Sequence, residues 1–273
     1  MDDEVLEKKE IKYQINFDTF SSSNPNDMKA VEFIVPFYNN YSDVVRLLES
    51  LFSTITTNRY QITLVDDGSD NKNFIRELDN KKIVGLNCLR IEENKGFGAA
   101  INYALKNPRN NWIPFICILH TDILPNDMLW LSKIGSCYQK LKLQNVKMIS
   151  PRSNFFGDDL KHLETTRDQK IDDYILKENE YLSLFCSLCH RELFSKIGYF
   201  EEYPLAGCEV EEFALRMQRN GYKQGICGKS WIHHQGEGTL GKMDEKKREI
   251  LRKTVETFRI EKNKYLESIN TIV

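Results

Sequence analysis

Several short stretches of the chain carry side chains whose types and spacing suit chemistry on a polar, anionic ligand. His120-Thr121-Asp122 follows directly on Ile113–Leu119, an uninterrupted apolar run. A polar triplet at the end of a buried strand is costly unless it is solvated or bound to something. In an extended segment, residues two apart point the same way, so His120 and Asp122 can face one ion. Mg2+ and Mn2+ both take a carboxylate oxygen, and Mn2+ also accepts an imidazole. The plainer alternative is an aspartate that caps the helix expected from Asp127.

Further along, Glu209, Glu211 and Glu212 sit at an expected helix start with Arg216 beyond them. Glu209, Glu212 and Arg216 are three and four positions apart and share a face. A carboxylate there can serve as a general base towards a hydroxyl, although acidic residues at a helix start also suit the helix dipole with no further role. His233-His234-Gln235-Gly236-Glu237-Gly238 offers two adjacent histidines. Neighbours in a strand face opposite ways, so at most one of His233 and His234 points at a shared site. The glycines after them suit a loop that closes over a substrate.

Two turns complete the set. Asp66-Asp67-Gly68-Ser69-Asp70 ends a strand, and its carboxylates can accept hydrogen bonds from a base or ribose, yet an Asp-Gly turn is by itself only a turn. Asn94-Lys95-Gly96-Phe97-Gly98-Ala99-Ala100 opens a helix whose free N–H groups suit an anion, with Lys95 adding charge. Its glycine spacing is not that of a Walker loop. Cys186 and Cys189 form a Cys-x-x-Cys with no second pair at the spacing of a zinc site, which favours core packing.

The elements that must position these residues alternate. Strands are expected at Val31–Val35 (ended by Pro36), Gln61–Val65, Ile83–Ile91 and Ile113–Leu119, and helices from Ser42, over Gly98–Leu105 and over Asp127–Leu141. Such β-α-β-α alternation implies an α/β domain with a mostly parallel, Rossmann-like sheet flanked by helices. Ligands bind beyond the carboxyl ends of its strands, which here are Pro36–Asn40, Asp66–Asp70, Asn94–Gly98 and His120–Asp122. The second half is less regular: a polar stretch over Ile149–Asp173, strands at Tyr181–Cys189 and Gln224–Ile232, and a helix Glu209–Asn220 stopped by Gly221. A charged helix over Lys242–Ile269 repeats apolar residues at helical spacing and is expected to pack on the domain, with dimerisation or peripheral membrane contact as alternatives.

Composition narrows the function classes. A net charge of −2 argues against a nucleic-acid partner. No apolar run is long enough to span a membrane, and the charged start, Met1–Glu10, is unlike a signal peptide. Seven scattered cysteines, an odd number, fit reduced thiols and a cytoplasmic location. The domain division is a lead-in over 1–29, a main domain over 30–240 and a C-terminal helix over 241–273.

Taken in order, these pieces resemble glycosyltransferase family 2, from about Val31 to Gly241. Val31–Asn39 looks like the family's opening strand and Pro-x-Tyr-Asn turn, Leu64–Ser69 its Val-Asp-Asp-Gly-Ser turn, and Asn94–Asn102 its Asn-x-Gly-x-x-x-Ala-x-Asn segment. His120-Thr121-Asp122 sits at its Asp-x-Asp motif, Gly198–Arg216 resembles its acceptor-side segment, and His233-His234-Gln235-Gly236 its later histidine. The resemblance implies the GT-A fold and metal-dependent, inverting transfer of a sugar from a UDP- or dTDP-sugar to a glycan or glycoconjugate hydroxyl. It implies nucleotide contacts at Pro36, Tyr38, Asn39, Asp66, Asp67, Lys95, Gly96 and Asn102. It also implies Mn2+ or Mg2+ at Asp122 with His120 and His233 or His234, and a base at Glu209 with Glu212 or Glu211 as substitutes. Two departures stand out: His120 replaces the motif's first aspartate, and the family's Glu-Asp pair reads Glu209-Val210 here. They motivate a second reading, a catalytically degenerate module that binds sugar nucleotide without turnover. A sugar nucleotidyltransferase fits less well, because the first strand leads to Pro36-Phe37-Tyr38-Asn39 and not to a glycine-rich loop.

Overall fold

A computed structural model describes residues 30–55, 59–156, 158–178, 180–203, 208–236 and 245–270. The lead-in expected over 1–29 and the glycine loop past Gly236 lie outside these residues. In chain order the elements are β1 (Val31–Phe37), α1 (Tyr41–Thr54), β2 (Tyr60–Asp67), α2 (Lys72–Asn80), β3 (Leu86–Ile91), α3 (Phe97–Lys106), β4 (Phe115–Leu119), β5 (Ile123–Leu124), α4 (Trp130–Leu141), β6 (Val146–Ser153), β7 (Tyr174–Ile175), β8 (Cys186–His190), α5 (Glu192–Ile197), α6 (Glu209–Arg219), β9 (Lys223–His234) and α7 (Glu245–Asn270).

The sheet runs β3-β2-β1-β4-β8-β6-β9-β5, with β7 on β9. Every residue of β1 and β4 is buried, as expected of strands covered on both faces. Helices supply that cover: α1 turns Val44, Leu47, Leu48 and Leu51 inward at helical spacing, and α4 does the same with Trp130, Leu131, Ile134 and Leu141. The pairs β1–β2, β2–β3 and β1–β4 are parallel, as is β6–β9, whereas β8 runs antiparallel between β4 and β6.

Several boundaries differ from the sequence expectation, among them the start of the stretch expected to be polar from Ile149, which strand β6 occupies as far as Ser153. β1 continues through Pro36, which pairs with Val65. Its pairing with β4 ends at Ile34, so proline sits where β1 has a neighbour on one side only and a missing N–H is tolerated. β2 extends through Asp66 and Asp67, so both carboxylates project from the strand itself. The apolar stretch from Tyr181 becomes strand only at Cys186, because it is there that β4 and β6 offer pairing edges.

Deep in the sheet, Glu32 is fully buried and pairs with Arg191, while the Gln61 amide (2.9 Å) and the Thr63 hydroxyl (2.5 Å) donate to it. A buried charge is stable only with such partners. Gly221, at φ +71°, terminates α6. α7 packs as expected at Phe258, whose buried ring lies 6.0 Å from that of Tyr203, and Lys262 pairs with Glu211.

Candidate active site

The site collects at the carboxyl ends of β1, β2 and β4 and is closed by the end of β9. β5 pairs antiparallel with β9 in the register Ile123↔His234 and Leu124↔His233, and the Gln235 N–H donates to the Asp122 carbonyl at 3.0 Å. This short ladder carries residues more than a hundred positions apart in the chain to one spot. His120, Asp122 and His234 each offer one ligand atom there, all within 4.8 Å of one another. His234 Nε2 lies 3.3 Å from Asp122 Oδ1, and His120 Nδ1 lies 3.9 Å from the same oxygen.

The surroundings favour an ion. His234 Nδ1 is 3.0 Å from the Phe155 carbonyl, which can only accept, so Nδ1 carries the proton. The Nε2 then faces Asp122: with no ion bound a proton there hydrogen-bonds the carboxylate, and an ion would displace that proton and take the lone pair, as in a ligand histidine held by a backbone carbonyl. Burial first, and then the charge of His234, holds the His120 imidazole down to about 4, against a smaller opposite pull from Asp122. His120 is therefore an electron-pair donor at neutral pH. Burial pushes the Asp122 carboxyl up, but the hydrogen bond and charges of the two imidazoles outweigh it and keep it an anion. Two imidazoles and one carboxylate suit Mn2+ better than Mg2+. His233, by contrast, points to the opposite face, with its ring 6.1 Å from Trp231, and it is not among the converging ligands.

The two turns form the neighbouring wall. Asp66 is fully buried, paired with Arg90, and accepts the Ser69 N–H at 2.9 Å. Asp67 accepts the N–H groups of Lys95 (2.9 Å) and Gly96 (2.8 Å), joining the β2 turn to the start of α3. Burial raises its carboxyl above the usual value, and these two N–H groups oppose the rise. Gly68, at φ +75°, leaves no room for a side chain: a Cβ would stand 2.5 Å from the Asn94 nitrogen. Asn39, at φ +56°, ties β1 to the same turn, its amide donating to Asp70 and its carbonyl oxygen accepting from the Asp70 N–H, both at 2.9 Å. Pro36 is buried beneath this wall, Tyr38 is half-buried and Lys95 is exposed. Asp66 and Asp67 thus shape this wall through the turns they hold.

On the other side, α6 presents Glu209, buried, against the first turn of α3. A Cβ on Gly98 would meet the Glu209 Cβ at 3.2 Å, so that glycine admits the glutamate. Phe97, next to it, packs edge-on to His120 at 5.1 Å, which links this wall to the ligand triad. Glu212 does not share this placement. Both of its oxygens take the Arg216 guanidinium, at 2.7 and 2.6 Å, and Arg216 also donates to the Ile197 carbonyl. Through Arg216, Glu212 braces α6 against α5. Glu211 pairs with Lys262 of α7. The Asn102 amide donates to the Phe200 carbonyl (2.8 Å) and to Glu202 (3.0 Å), and its oxygen accepts the Phe200 N–H (3.0 Å), so it ties α3 to the segment after α5.

Sequence reasoning missed Asn154, Phe155, Phe185 and Arg90. Asn154 exchanges two hydrogen bonds with the His234 backbone, at 2.8 and 2.9 Å. Phe185 stacks on the His234 ring at 4.9 Å, and its carbonyl accepts the His120 N–H at 2.9 Å. None carries a local motif: the meeting of β4, β6, β8 and β9 gives the first three a role, and the pairing of β3 with β2 sets Arg90 against Asp66.

The model for glycosyl transferase family 2 matches residues 32–198, more than half of the chain. The chain belongs to glycosyl transferase family 2. The matched residues include both turns and the His120-Thr121-Asp122 triplet and stop before Glu209 and His234. No curated protein sequence matches the chain. Among solved structures it is similar to GalNAc-T7 with UDP, GalNAc and Mn2+ (TM-score 0.61, 16% identity, 75% of this chain and 43% of that one). It is also similar to the mannosyltransferase PcManGT from Pyrobaculum calidifontis in complex with GDP-Man and Mn2+ (TM-score 0.58, 17% identity, 75% and 56%). At these identities the likeness shows the fold, which is the α/β GT-A fold. The chain spans about half the length of these two structures.

Proposed function

We propose that residues 30–240 form a metal-dependent, inverting glycosyltransferase domain. It moves a sugar from a nucleotide diphosphate donor, a UDP- or dTDP-sugar, to a hydroxyl of a glycan or glycoconjugate. The observation that carries this reading is the convergence of His120, Asp122 and His234 beyond the strand ends, facing a wall that ends in Glu209. In this reading the turns at Pro36–Asn39, Asp66–Asp70 and Lys95–Gly96 bind the nucleotide, with Asp66 and Asp67 fixing their shape. His120, Asp122 and His234 hold a divalent ion, Mn2+ before Mg2+. Such an ion supplies positive charge that neutralises the departing diphosphate. Glu209 accepts the proton of the acceptor hydroxyl as its oxygen forms a bond to the anomeric carbon. The carbon–oxygen bond to the diphosphate breaks on the opposite face, so configuration inverts. Packing at Gly98 sets where that base stands, and the Asn102 and Arg216 braces fix the acceptor-side segment beneath it.

The GT-A structures with Mn2+ and bound nucleotide or nucleotide sugar support the same donor class. No described helix is long and apolar enough to cross a membrane. A cytoplasmic role in glycan biosynthesis, with residues 241–273 as a helical appendage able to touch a membrane surface, completes the proposal. The test is incubation of the protein with UDP-, dTDP- and GDP-sugars, with and without Mn2+, measuring nucleoside diphosphate release. Metal-dependent release from one donor supports the reading. Nucleotide binding without release from any donor, acceptors included, favours the degenerate binding module.

A further inference from the structure

A second group of ligand-type side chains lies away from the candidate active site. Cys137 on α4, Cys227 on β9 and Asp173, one residue before β7, place two sulfurs and a carboxylate oxygen within 4.8 Å of one another. Core packing explains a buried thiol but not a nearly buried carboxylate beside two of them. The side chain of Asp173 is 8% exposed.

The backbone is shaped around this group. The register of β9 against β6 jumps after Cys227, from Pro151↔Cys227 to Arg152↔Trp231, so residues 228–230 bulge out of the ladder. The bulge is held in place: Arg152 Nε donates to the Gly228 carbonyl at 2.8 Å, and the Gly228 N–H donates to Asp173 Oδ1 at 3.1 Å. Only glycine fits at 228, since a Cβ would stand 2.2 Å from the Ile171 carbonyl oxygen. The second oxygen of Asp173 takes Lys140 at 2.9 Å. With both thiols deprotonated and a divalent ion bound, Lys140 brings the group to neutrality.

We infer that Cys137, Asp173 and Cys227 form a second metal site, a two-thiolate, one-carboxylate site for a soft divalent cation such as Zn2+. The ligand set is that of zinc, because thiolates select against Mg2+ and Mn2+. Without an ion the Cys227 thiol donates to the Lys133 carbonyl at 3.5 Å, and binding displaces that proton. Solvent completes the fourth position on the side where Lys140 reaches the surface. The bound ion clasps α4, β9 and the segment leading into β7, so it stabilises the fold and takes no part in the transfer chemistry.

Titration of the reduced full-length protein with Co2+ tests the site. Sulfur-to-cobalt charge transfer in the near ultraviolet arises only from thiolate ligands, so the His120–Asp122–His234 site cannot produce it. The band is expected in the wild-type chain, reduced about tenfold or more in Cys137→Ser and Cys227→Ser, and retained in Cys117→Ser. Absence of the band from the reduced wild-type chain, or its persistence in both serine variants, overturns the proposal. Should the variants fail to fold, zinc X-ray absorption of the wild-type protein decides. Two Zn–S distances of about 2.3 Å uphold the site, and a shell of nitrogen and oxygen alone overturns it. The transferase reading stands or falls separately, on diphosphate release.

Discussion

Replacing His234 by alanine tests the metal triad most directly, because the preceding residue, His233, supplies its own control. The substitution removes one of three converging ligands, the Nδ1–H bond to the Phe155 carbonyl at 3.0 Å, and a ring stacked on Phe185. Loss of an outer partner alone typically weakens a metal site by about 10–100-fold. Loss of a ligand together with its anchored orientation should cost at least the upper end, about 100-fold, or about 2.8 kcal/mol. His233, whose ring lies beside Trp231 on the opposite face, makes none of these contacts. His233→Ala should therefore change affinity by less than about twofold, the size expected of a substitution away from the site. Free Mn2+ measured by electron paramagnetic resonance during titration gives both dissociation constants without a sugar donor. Thermal unfolding of each variant checks that the fold is intact. Equal affinities for the two variants, or wild-type affinity for His234→Ala in folded protein, would refute the triad and the β5–β9 register behind it.

The two glutamates of α6 should separate activity from stability. Glu209→Gln keeps the packing over Gly98 and should lower kcat by about 10²–10⁴-fold, with donor affinity and melting temperature unchanged. Glu212→Gln breaks the fork with Arg216 and should lower stability by about 1.5–3 kcal/mol while folded molecules keep their kcat. Steady-state kinetics and denaturant unfolding read the two effects. The fold should also respond to acid through His120. Between its ordinary 6.5 and about 4, the unfolded chain binds a proton that the folded chain does not. Stability is therefore fully present above that window and is lost as pH falls through it. Unfolding of metal-free protein across this range should show the loss, and His120→Asn should reduce it.

Much of the site is written in local sequence. The glycine at φ +75° in the Asp66–Asp70 turn, the start of α3 after Gly96, and the spacing of His120 and Asp122 all follow from rules acting over a few residues. The β-α-β alternation places these segments at strand ends, where ligands bind. The sequence also implied that only one of two adjacent histidines could join Asp122, since a strand turns neighbours to opposite faces.

Which histidine joins is a matter of register, and register is set between β5 and β9, segments far apart in the chain. A non-local contact likewise sets Glu209 against Gly98, whereas Glu212 is claimed by Arg216 one turn along its own helix. A further non-local contact makes Asn102 a brace for Phe200. Such contacts also gather Cys137, Asp173 and Cys227, which share no motif, around a bulge that appears only where β9 slips against β6. Residue type and short spacing determined which groups have the chemistry for a site. Strand pairing and helix packing decided which of them meet, because the free energy of those contacts depends on partners that no local window contains.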